Sequence, residues 1–382
     1  MITFQDKVRG AVLSVALGDA LGAPIEKLSY QEIKDKYGRV ESLRTKWYKE
    51  DAPPEVNLGR HRGNGIVTDD TLMTKALINV YLKEKRHLDA YDMGKEFIKE
   101  IAFRKTYIPE FQNEALIIDR LFYPEKYIFV RHVLANCEPR EGGIGNMINC
   151  GAAMYITPIG IVNAGNPKAA YDEAILFAMG HQSSYGLEAA GVLAACIARA
   201  FTPGVTVDDI VDTAISLSKD GTRNAIIDLT SAAKELREKN SDMDEVVETL
   251  HSVIAKYSPM KDNVHRKIEK VGIPSNHYTP SRLFSIEELP LALAFIVLNK
   301  GEYYKSIYDG INSGRDTDSI GVMIGAILGS MYGNQAITRA DIDLLESTNK
   351  MNLLQTADDF AKTAREIIEA DLRLNEERKK LF

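Results

Sequence analysis

Apolar side chains in this sequence recur every three or four residues, and almost no segment alternates between apolar and polar residues as a half-buried β-strand would. The clearest stripes include Val8, Ala11, Val12, Val15 and Ala16, then Leu72, Met73, Ala76, Leu77, Val80 and Tyr81, and later Ile320, Ile324, Ile327, Leu328 and Met331. The apolar run 154–162 contains Pro158, which disfavours a central strand. The pattern predicts an all-α fold.

Within the 382 residues we find no break in composition and no internal repeat. Three stretches lack helical periodicity and carry prolines or glycines: residues 38–67, 136–151 and 256–285. Long irregular segments in a compact helical body are more often functional loops than filler. We therefore predict a single compact domain over residues 1–382, with these segments as walls of a cleft.

Charge and cysteine content exclude several classes of protein. The 47 Lys and Arg against 54 Asp and Glu give a net charge of −7, without a long basic run, which argues against nucleic-acid and membrane partners. The N-terminal residues lack the apolar core of a signal peptide, and we expect no membrane-spanning segment. The cysteines, Cys137, Cys150 and Cys196, are odd in number and lack zinc-ligand spacing. These features predict a cytoplasmic protein.

Acidic residues placed beside apolar sequence are the most informative feature for function. Asp19 lies on the face of the first apolar stripe, between Gly18 and Gly22, and Glu26 ends the otherwise apolar turn GAPIE. Asp19 fits two interpretations, a hydrogen-bonding residue at a helix end or a member of a functional site.

A second acidic group opens the helix that carries Leu72. Thr68 is a natural N-cap, and Asp69 and Asp70 fall in the first turn, where the helix dipole favours anions. An ordinary capped helix explains one of these acids. Two in a row after the apolar pair Ile66–Val67 fit less well, because one must point inward.

A third group, Asp316 and Asp318, precedes the stripe that contains Ile320. Residues two apart face different sides of a regular helix, so these acids converge only if they lie in a loop entering a helix that begins near Ser319. Packing of the two helices would gather four carboxylates, whose mutual repulsion calls for cations. Oxygen ligands select hard ions such as Mg²⁺, Mn²⁺ or Ca²⁺, so the sequence predicts a metal site.

The helix after Ser319 also carries Gly321, Gly325 and Gly329, every fourth residue on one side. Each glycine costs a helix about 1 kcal/mol relative to alanine. Their spacing predicts close backbone contact with a partner helix.

Four segments in this order make the chain similar to the ADP-ribosylglycohydrolase family: GDALGAPIE, TDDT, GHQSSYGLEAAGVLAA and GRDTDSIGVMIGAILGSMYG. The resemblance covers residues 18–333. It implies an all-α fold with a binuclear Mg²⁺ or Mn²⁺ centre. The ligands it implies are Thr68, Asp69, Asp70, Asp316, Asp318 and Ser319, the last standing where most members have threonine.

The resemblance also implies residues for catalysis and substrate binding. Asp316 is the first choice for the carboxylate that assists the attacking water, and Glu26 is the second. The glycine-rich ribose-binding stretch of the family is altered here. Its counterpart is either Gly145–Asn146 or the segment from Asn149 through Gly151 to Met154. His181 is either a substrate contact or a satisfied core histidine.

The predicted reaction is metal-dependent hydrolysis of the glycosidic bond at the anomeric carbon of ribose. The expected substrates are ADP-ribosylated small molecules or modified proteins. Two alternatives remain: a hydrolase of another N-riboside or nucleoside on the same fold, and a non-catalytic regulatory protein that binds ADP-ribose.

Overall fold

The computed structural model describes residues 2–121, 123–258 and 285–382. In the first of these parts and the start of the second, the helices are α1 (Phe4–Gly22), α2 (Tyr30–Tyr37), α3 (Pro54–Asn57), α4 (Asp69–Glu84), α5 (Ala90–Asp92), α6 (Ile98–Ala102), α7 (Ile117–Arg120) and α8 (Tyr123–Ala135). A π-helical turn, Met93–Phe97, joins α5 to α6. The middle of the chain forms α9 (Thr157–Val162), α10 (Pro167–Ala178), α11 (Tyr185–Ala200), α12 (Val207–Leu217), α13 (Asp220–Lys239) and α14 (Met243–Ile254). The last part forms α15 (Ser285–Leu298), α16 (Tyr303–Asn312), α17 (Thr317–Tyr332), α18 (Arg339–Asn349) and α19 (Leu353–Lys379). The prediction of an all-α fold is confirmed.

A short antiparallel hairpin is the one sheet among the described residues. Strand β1 (Lys105–Ile108) pairs with β2 (Asn113–Leu116), with Lys105 opposite Leu116 and Ile108 opposite Asn113. Strands of four residues are too short to show a period of two in the sequence, which is why the periodicity did not reveal them.

Helices α1 and α17 pack against each other in the core with their backbones in contact. A Cβ atom added to Gly18 would lie less than 3.0 Å from the Gly321 carbonyl, and one added to Gly325 would meet the Ser14 carbonyl equally closely. Gly329 meets Gly10 in the same way. The predicted close backbone contact of the glycine face is confirmed, and α1 is the partner.

Helix α1 with its extension to Ile25 is long and apolar enough in composition to cross a membrane, with a mean hydropathy of 1.3 in its most apolar window. In the fold, 94% of that window is buried against other helices. Its burial makes this segment a core helix of the fold. It belongs to one cluster of buried apolar residues that extends from Val8 to Ile367.

Some helix boundaries differ from those expected. Helix α17 begins at Thr317, two residues before Ser319. The C-terminal region forms two separate helices, because Lys350 and Asn352 adopt left-handed conformations between α18 and α19. Segment 38–67 contains only α3, segment 136–151 contains one 3₁₀ turn at Pro139–Glu141, and most of segment 256–285 lies outside the described residues.

Candidate metal centre and substrate cavity

The start of α4 is capped by a side chain from another helix. The fully buried carboxylate of Asp19, in α1, accepts hydrogen bonds from the backbone N–H of Thr68 and Thr71, at 2.9 and 3.1 Å, and from both hydroxyls. Burial raises the pKa of Asp19 to about 6, and the hydrogen bonds from the two threonines oppose that rise. Of the two interpretations of Asp19, the geometry favours a hydrogen-bonding residue at a helix end. The helix end is the start of α4, and not an end of α1, which carries Asp19.

This arrangement frees the side chains of the first turn of α4 for other partners. The Thr68 hydroxyl donates a hydrogen bond to Asp19, and its oxygen keeps lone pairs that could bind a cation. Asp69 pairs with Arg120 at 2.5 Å, and Asp70 accepts a hydrogen bond from the Ser319 hydroxyl at 3.2 Å. The first aspartate motif (Asp69 and Asp70) and the second aspartate motif (Asp316 and Asp318, followed by Ser319) therefore meet directly.

The second motif is held by a sharp turn before α17. Gly314 and Arg315 both have positive φ angles, 86° and 74°, and a Cβ on Gly314 would overlap the carbonyl of Leu28. Backbone hydrogen bonds at 3.0 Å join Arg315 to Leu28 and to Lys27. The turn thereby places Asp316 outside the helix and next to the GAPIE turn.

Three carboxylates converge at this junction. Glu26, Asp316 and Asp318 each offer an oxygen within 4.8 Å of the other two, and all three side chains are buried. Burial and the neighbouring carboxylates raise the pKa of Asp318 and of Asp70 well above the usual range. A cation is the partner that would stabilise these carboxylates in their charged form, so the oxygen donors present fit Mg²⁺ or Mn²⁺.

Basic residues contact the carboxylates of the site directly. Arg62 donates to Glu26 and, at 2.8 Å, to Glu110, which also accepts hydrogen bonds from Arg120. Although burial alone would raise the pKa of Glu26, Lys27 and Arg62 hold it well below the usual range. Glu110 is fully buried and fixes both guanidinium groups. Nothing in its sequence context distinguished Glu110.

Glu125, near the start of α8, was also not anticipated. It accepts hydrogen bonds from His181 Nε2 and, at 3.0 Å, from Asn149 Nδ2, and the Tyr155 hydroxyl contacts His181 Nδ1 at 2.8 Å. His181 is fully buried and lies behind Glu125. Its polar atoms are satisfied there, which agrees with the core-histidine interpretation.

These groups enclose a cavity of about 220 Å³. It is lined by Glu26, Lys27, Arg60, Arg62, Asp69, Asp70, Arg120, Glu125, Asn149, Cys150, Gly151, Met154, Asp316, Asp318 and Ser319. Two of the irregular segments contribute to the cavity wall. Segment 38–67 supplies Arg60 and Arg62, and segment 136–151 supplies its last three residues, from Asn149 to Gly151.

Of the two stretches considered for ribose binding, the later one reaches the cavity. Asn149 and Gly151 line it. Gly145 is exposed, and the Asn146 side chain donates to the His181 carbonyl at 2.7 Å; neither residue lines the cavity. The substrate-binding roles of all four residues remain predictions.

Comparison with known proteins adds an independent line of evidence. Residues 1–371 match the ADP-ribosylglycohydrolase family. The chain is 24% identical to the Escherichia coli protein YegU over 94% of this chain and 97% of that one. It is 23% identical to the mouse ADP-ribosylhydrolase ARH3 over 87% and 85% of the two chains.

A solved structure described as an ADP-ribosylglycohydrolase-related protein complex has the same fold. It superposes with a TM-score of 0.59 at 18% identity, covering 94% of this chain and 99% of the other. The family match spans nearly the whole sequence, and the acidic motifs meet in one cavity, so the chain belongs to the ADP-ribosylglycohydrolase family.

Proposed function

We propose that this protein is a divalent-metal-dependent hydrolase that cleaves the glycosidic bond at the anomeric carbon of ribose in ADP-ribosylated substrates. The observation that supports this most directly is the meeting of the two aspartate motifs with Glu26 at one buried cavity. The residues that we propose hold Mg²⁺ or Mn²⁺ are Thr68, Asp69, Asp70, Asp316, Asp318 and Ser319. Bound there, two such ions would polarise the ribose hydroxyls and lower the pKa of a water.

The protein side chains would supply proton transfer and charge balance. Asp316 is the first candidate to accept the proton of the attacking water, and Glu26, which Lys27 and Arg62 keep ionised, is the second. Arg60 and Lys27 line the same cavity and carry the positive charge that a pyrophosphate would need. The protein has a net charge of −7, so binding of an anion depends on such local charge.

The cavity size favours a second candidate on the same site. A volume of about 220 Å³ is below the roughly 300–1,000 Å³ of typical small-molecule sites. A free nucleoside or another N-riboside, smaller than ADP-ribose, would fit more completely. A regulatory ADP-ribose binder is separated from both candidates by the absence of turnover.

Calorimetry and product analysis test the proposal together. With Mg²⁺ present, we expect ADP-ribose to bind, and ADP-ribosylated peptides or small molecules to release ADP-ribose. Both signals should disappear with a chelator and in the double variant Asp316→Asn, Asp318→Asn. Asp359→Asn, in α19 and outside the cavity lining, with a side chain that is 45% exposed, is the matched control.

The possible results separate the candidates. Metal uptake without ADP-ribose binding, but with cleavage of a nucleoside, would replace the first candidate with the second. Tight ADP-ribose binding with no release of product from any riboside would support the regulatory binder. Turnover that survives chelation would contradict the metal dependence.

A further inference from the structure

A group of three potential metal ligands lies next to the aspartate motifs and includes two residues outside them. Cys150, Glu288 and Asp316 each present a ligand atom within 4.8 Å of the other two. The side chains come from the loop before α9, from α15 and from the turn before α17. All three are buried, with residue exposures of 5%, 1% and 3%.

Glu288 is the unusual member, because neither of its carboxylate oxygens has a hydrogen-bond partner within the described parts of the chain. The adjacent Glu287 is equally buried, but it accepts a hydrogen bond from Arg315 at 3.1 Å and another from Ser258. A buried carboxylate without donors costs several kcal/mol, so such groups are normally paired with a cation or a donor. The unpaired oxygens of Glu288 face Cys150 and Asp316.

Cys150 completes the group with a soft ligand. Its Sγ lies 3.2 Å from Asp316 Oδ2 and 3.4 Å from the Ser319 hydroxyl, and it also lines the cavity. Mg²⁺ prefers oxygen ligands, whereas a thiolate combined with carboxylates suits borderline ions such as Zn²⁺, Fe²⁺ or Co²⁺.

We propose that Cys150, Glu288 and Asp316 hold a divalent transition-metal ion beside the carboxylates of Glu26 and Asp318. When the ion binds, the Cys150 thiol loses its proton to solvent and a sulfur–metal bond forms, with no change in oxidation state. Asp316 is shared between this ion and the centre of the proposed function. The new site requires that Asp316 be available to metal, but it does not require hydrolysis.

Cobalt binding tests the proposal with a spectroscopic signal. Metal-free protein titrated with Co²⁺ should gain the near-ultraviolet absorption of a thiolate-to-cobalt charge transfer. Cys150→Ser should lose this band, whereas Cys196→Ser, which removes a buried thiol elsewhere, should keep it. Glu288→Gln should weaken Co²⁺ binding by about tenfold or more, and excess Mg²⁺ should not abolish the band.

The results that would overturn the proposal are distinct from failure of the hydrolase assignment. Co²⁺ uptake without the band in the unaltered protein, or an unchanged band in Cys150→Ser, would exclude a thiolate ligand. If Cys150→Ser does not fold, Glu288→Gln decides, because an unchanged Co²⁺ affinity would exclude the carboxylate. A protein that shows the band but no turnover keeps this site and loses the proposed function. A Mg²⁺-dependent hydrolase that lacks the band would keep the proposed function and lose this site.

Discussion

The buried acids of this protein differ by the partners that surround them. Glu110 is fully buried between Arg62 and Arg120, and these two guanidinium groups hold its pKa below the usual range against the effect of burial. Asp70 and Asp318 lie mainly among other carboxylates, and burial together with these neighbours raises their pKa values. The first type is balanced within the protein, and the second type calls for a cation from outside.

Glu110→Gln should strongly destabilise the protein. The substitution leaves two buried arginines with one negative partner fewer, and breaking a buried ion pair from one side typically costs about 3–5 kcal/mol. Urea unfolding followed by circular dichroism would measure the change. Glu100→Gln, which removes a partner of the exposed Arg104, should cost less than about 1 kcal/mol. Equal losses in the two variants would show that the Glu110 pairs contribute no more than a surface pair.

Glu26→Gln and Asp316→Asn should affect metal binding and turnover differently. Asp316 belongs to both ligand groups at the site, so Asp316→Asn should weaken Mg²⁺ binding and abolish turnover. Glu26→Gln removes a carboxylate already paired with Arg62 and Lys27, so it should retain more Mg²⁺ affinity. If Glu26 transfers the proton, the turnover rate of Glu26→Gln should still be about 10²–10⁴-fold lower than that of the unaltered protein. Metal titration and rate measurements at saturating Mg²⁺ separate the two effects. Full activity in Glu26→Gln would leave Asp316 as the sole candidate.

At the scale of helices, the backbone contact between α1 and α17 sets the geometry of the site. The same two helices supply Asp19, which caps α4, and the second aspartate motif. The Thr317 hydroxyl also donates to the Gly22 carbonyl at 2.8 Å, which ties the end of α1 to the start of α17. The glycines therefore position the residues that we propose bind metal, in addition to packing the core.

Gly18→Ala should separate α1 from α17 and disturb the site. The added methyl would overlap the Gly321 backbone, and backbone cannot move aside as a side chain can. We expect a loss of about 1–3 kcal/mol in stability, together with weaker Mg²⁺ binding in calorimetry. Gly221→Ala is a suitable comparison, because the nearest atoms to its methyl would belong to side chains and not to backbone, the Tyr185 hydroxyl at 3.0 Å and Ile286 Cδ1 at 3.1 Å. Normal stability in Gly18→Ala would show that the interface has unused space.

How far the sequence predicts this structure varies with the range of the interactions. The helical stripes and the glycine face follow from local spacing, and both are observed. The pairing of Asp70 with Ser319 could be suspected because both motifs open apolar helices. Glu110, Glu125 and Glu288 gave no signal, because each lies in an ordinary local context and the residues that surround it in the fold come from other segments of the chain. The break between α18 and α19 depends on two left-handed residues that are not glycines.

Over the whole molecule, the long C-terminal helix α19 packs against the N-terminal part of the chain, where a histidine joins it to two other segments. His87, in the loop after α4, contacts Glu173 of α10 at 2.5 Å and Asp371 of α19 at 2.9 Å. Glu173 also accepts hydrogen bonds from Tyr81 and Asn163. One imidazole therefore connects three separate parts of the chain.

This link should make stability depend on pH in the mildly alkaline range. The hydrogen bond to Glu173 raises the pKa of His87 to about 9, against the opposing effect of burial, with a further contribution from Asp371. Because the folded pKa exceeds the unfolded value of about 6.5, the stabilisation is complete below pH 6.5 and is lost as pH rises through 9. The side chain is 36% exposed, so after discounting for solvent screening we expect a loss of about 1–2 kcal/mol.

Urea unfolding at pH 6 and pH 9.5 would measure this dependence, with His87→Gln as the comparison. The variant should be less stable at pH 6 and should lose less stability between the two pH values. A pH dependence that is the same in both proteins would assign it to other groups.

The contact between Asp70 and Ser319 spans 249 positions of the chain. A ribosome makes the protein from its N-terminus, so for most of synthesis the first aspartate motif exists without the second. Contacts between such distant segments form late and slowly in folding. The proposed metal centre, and any activity that depends on it, can therefore form only after α17 has emerged and packed against α1. An unfinished chain carries only half of the residues that we propose bind metal, and the proposed site cannot form in it.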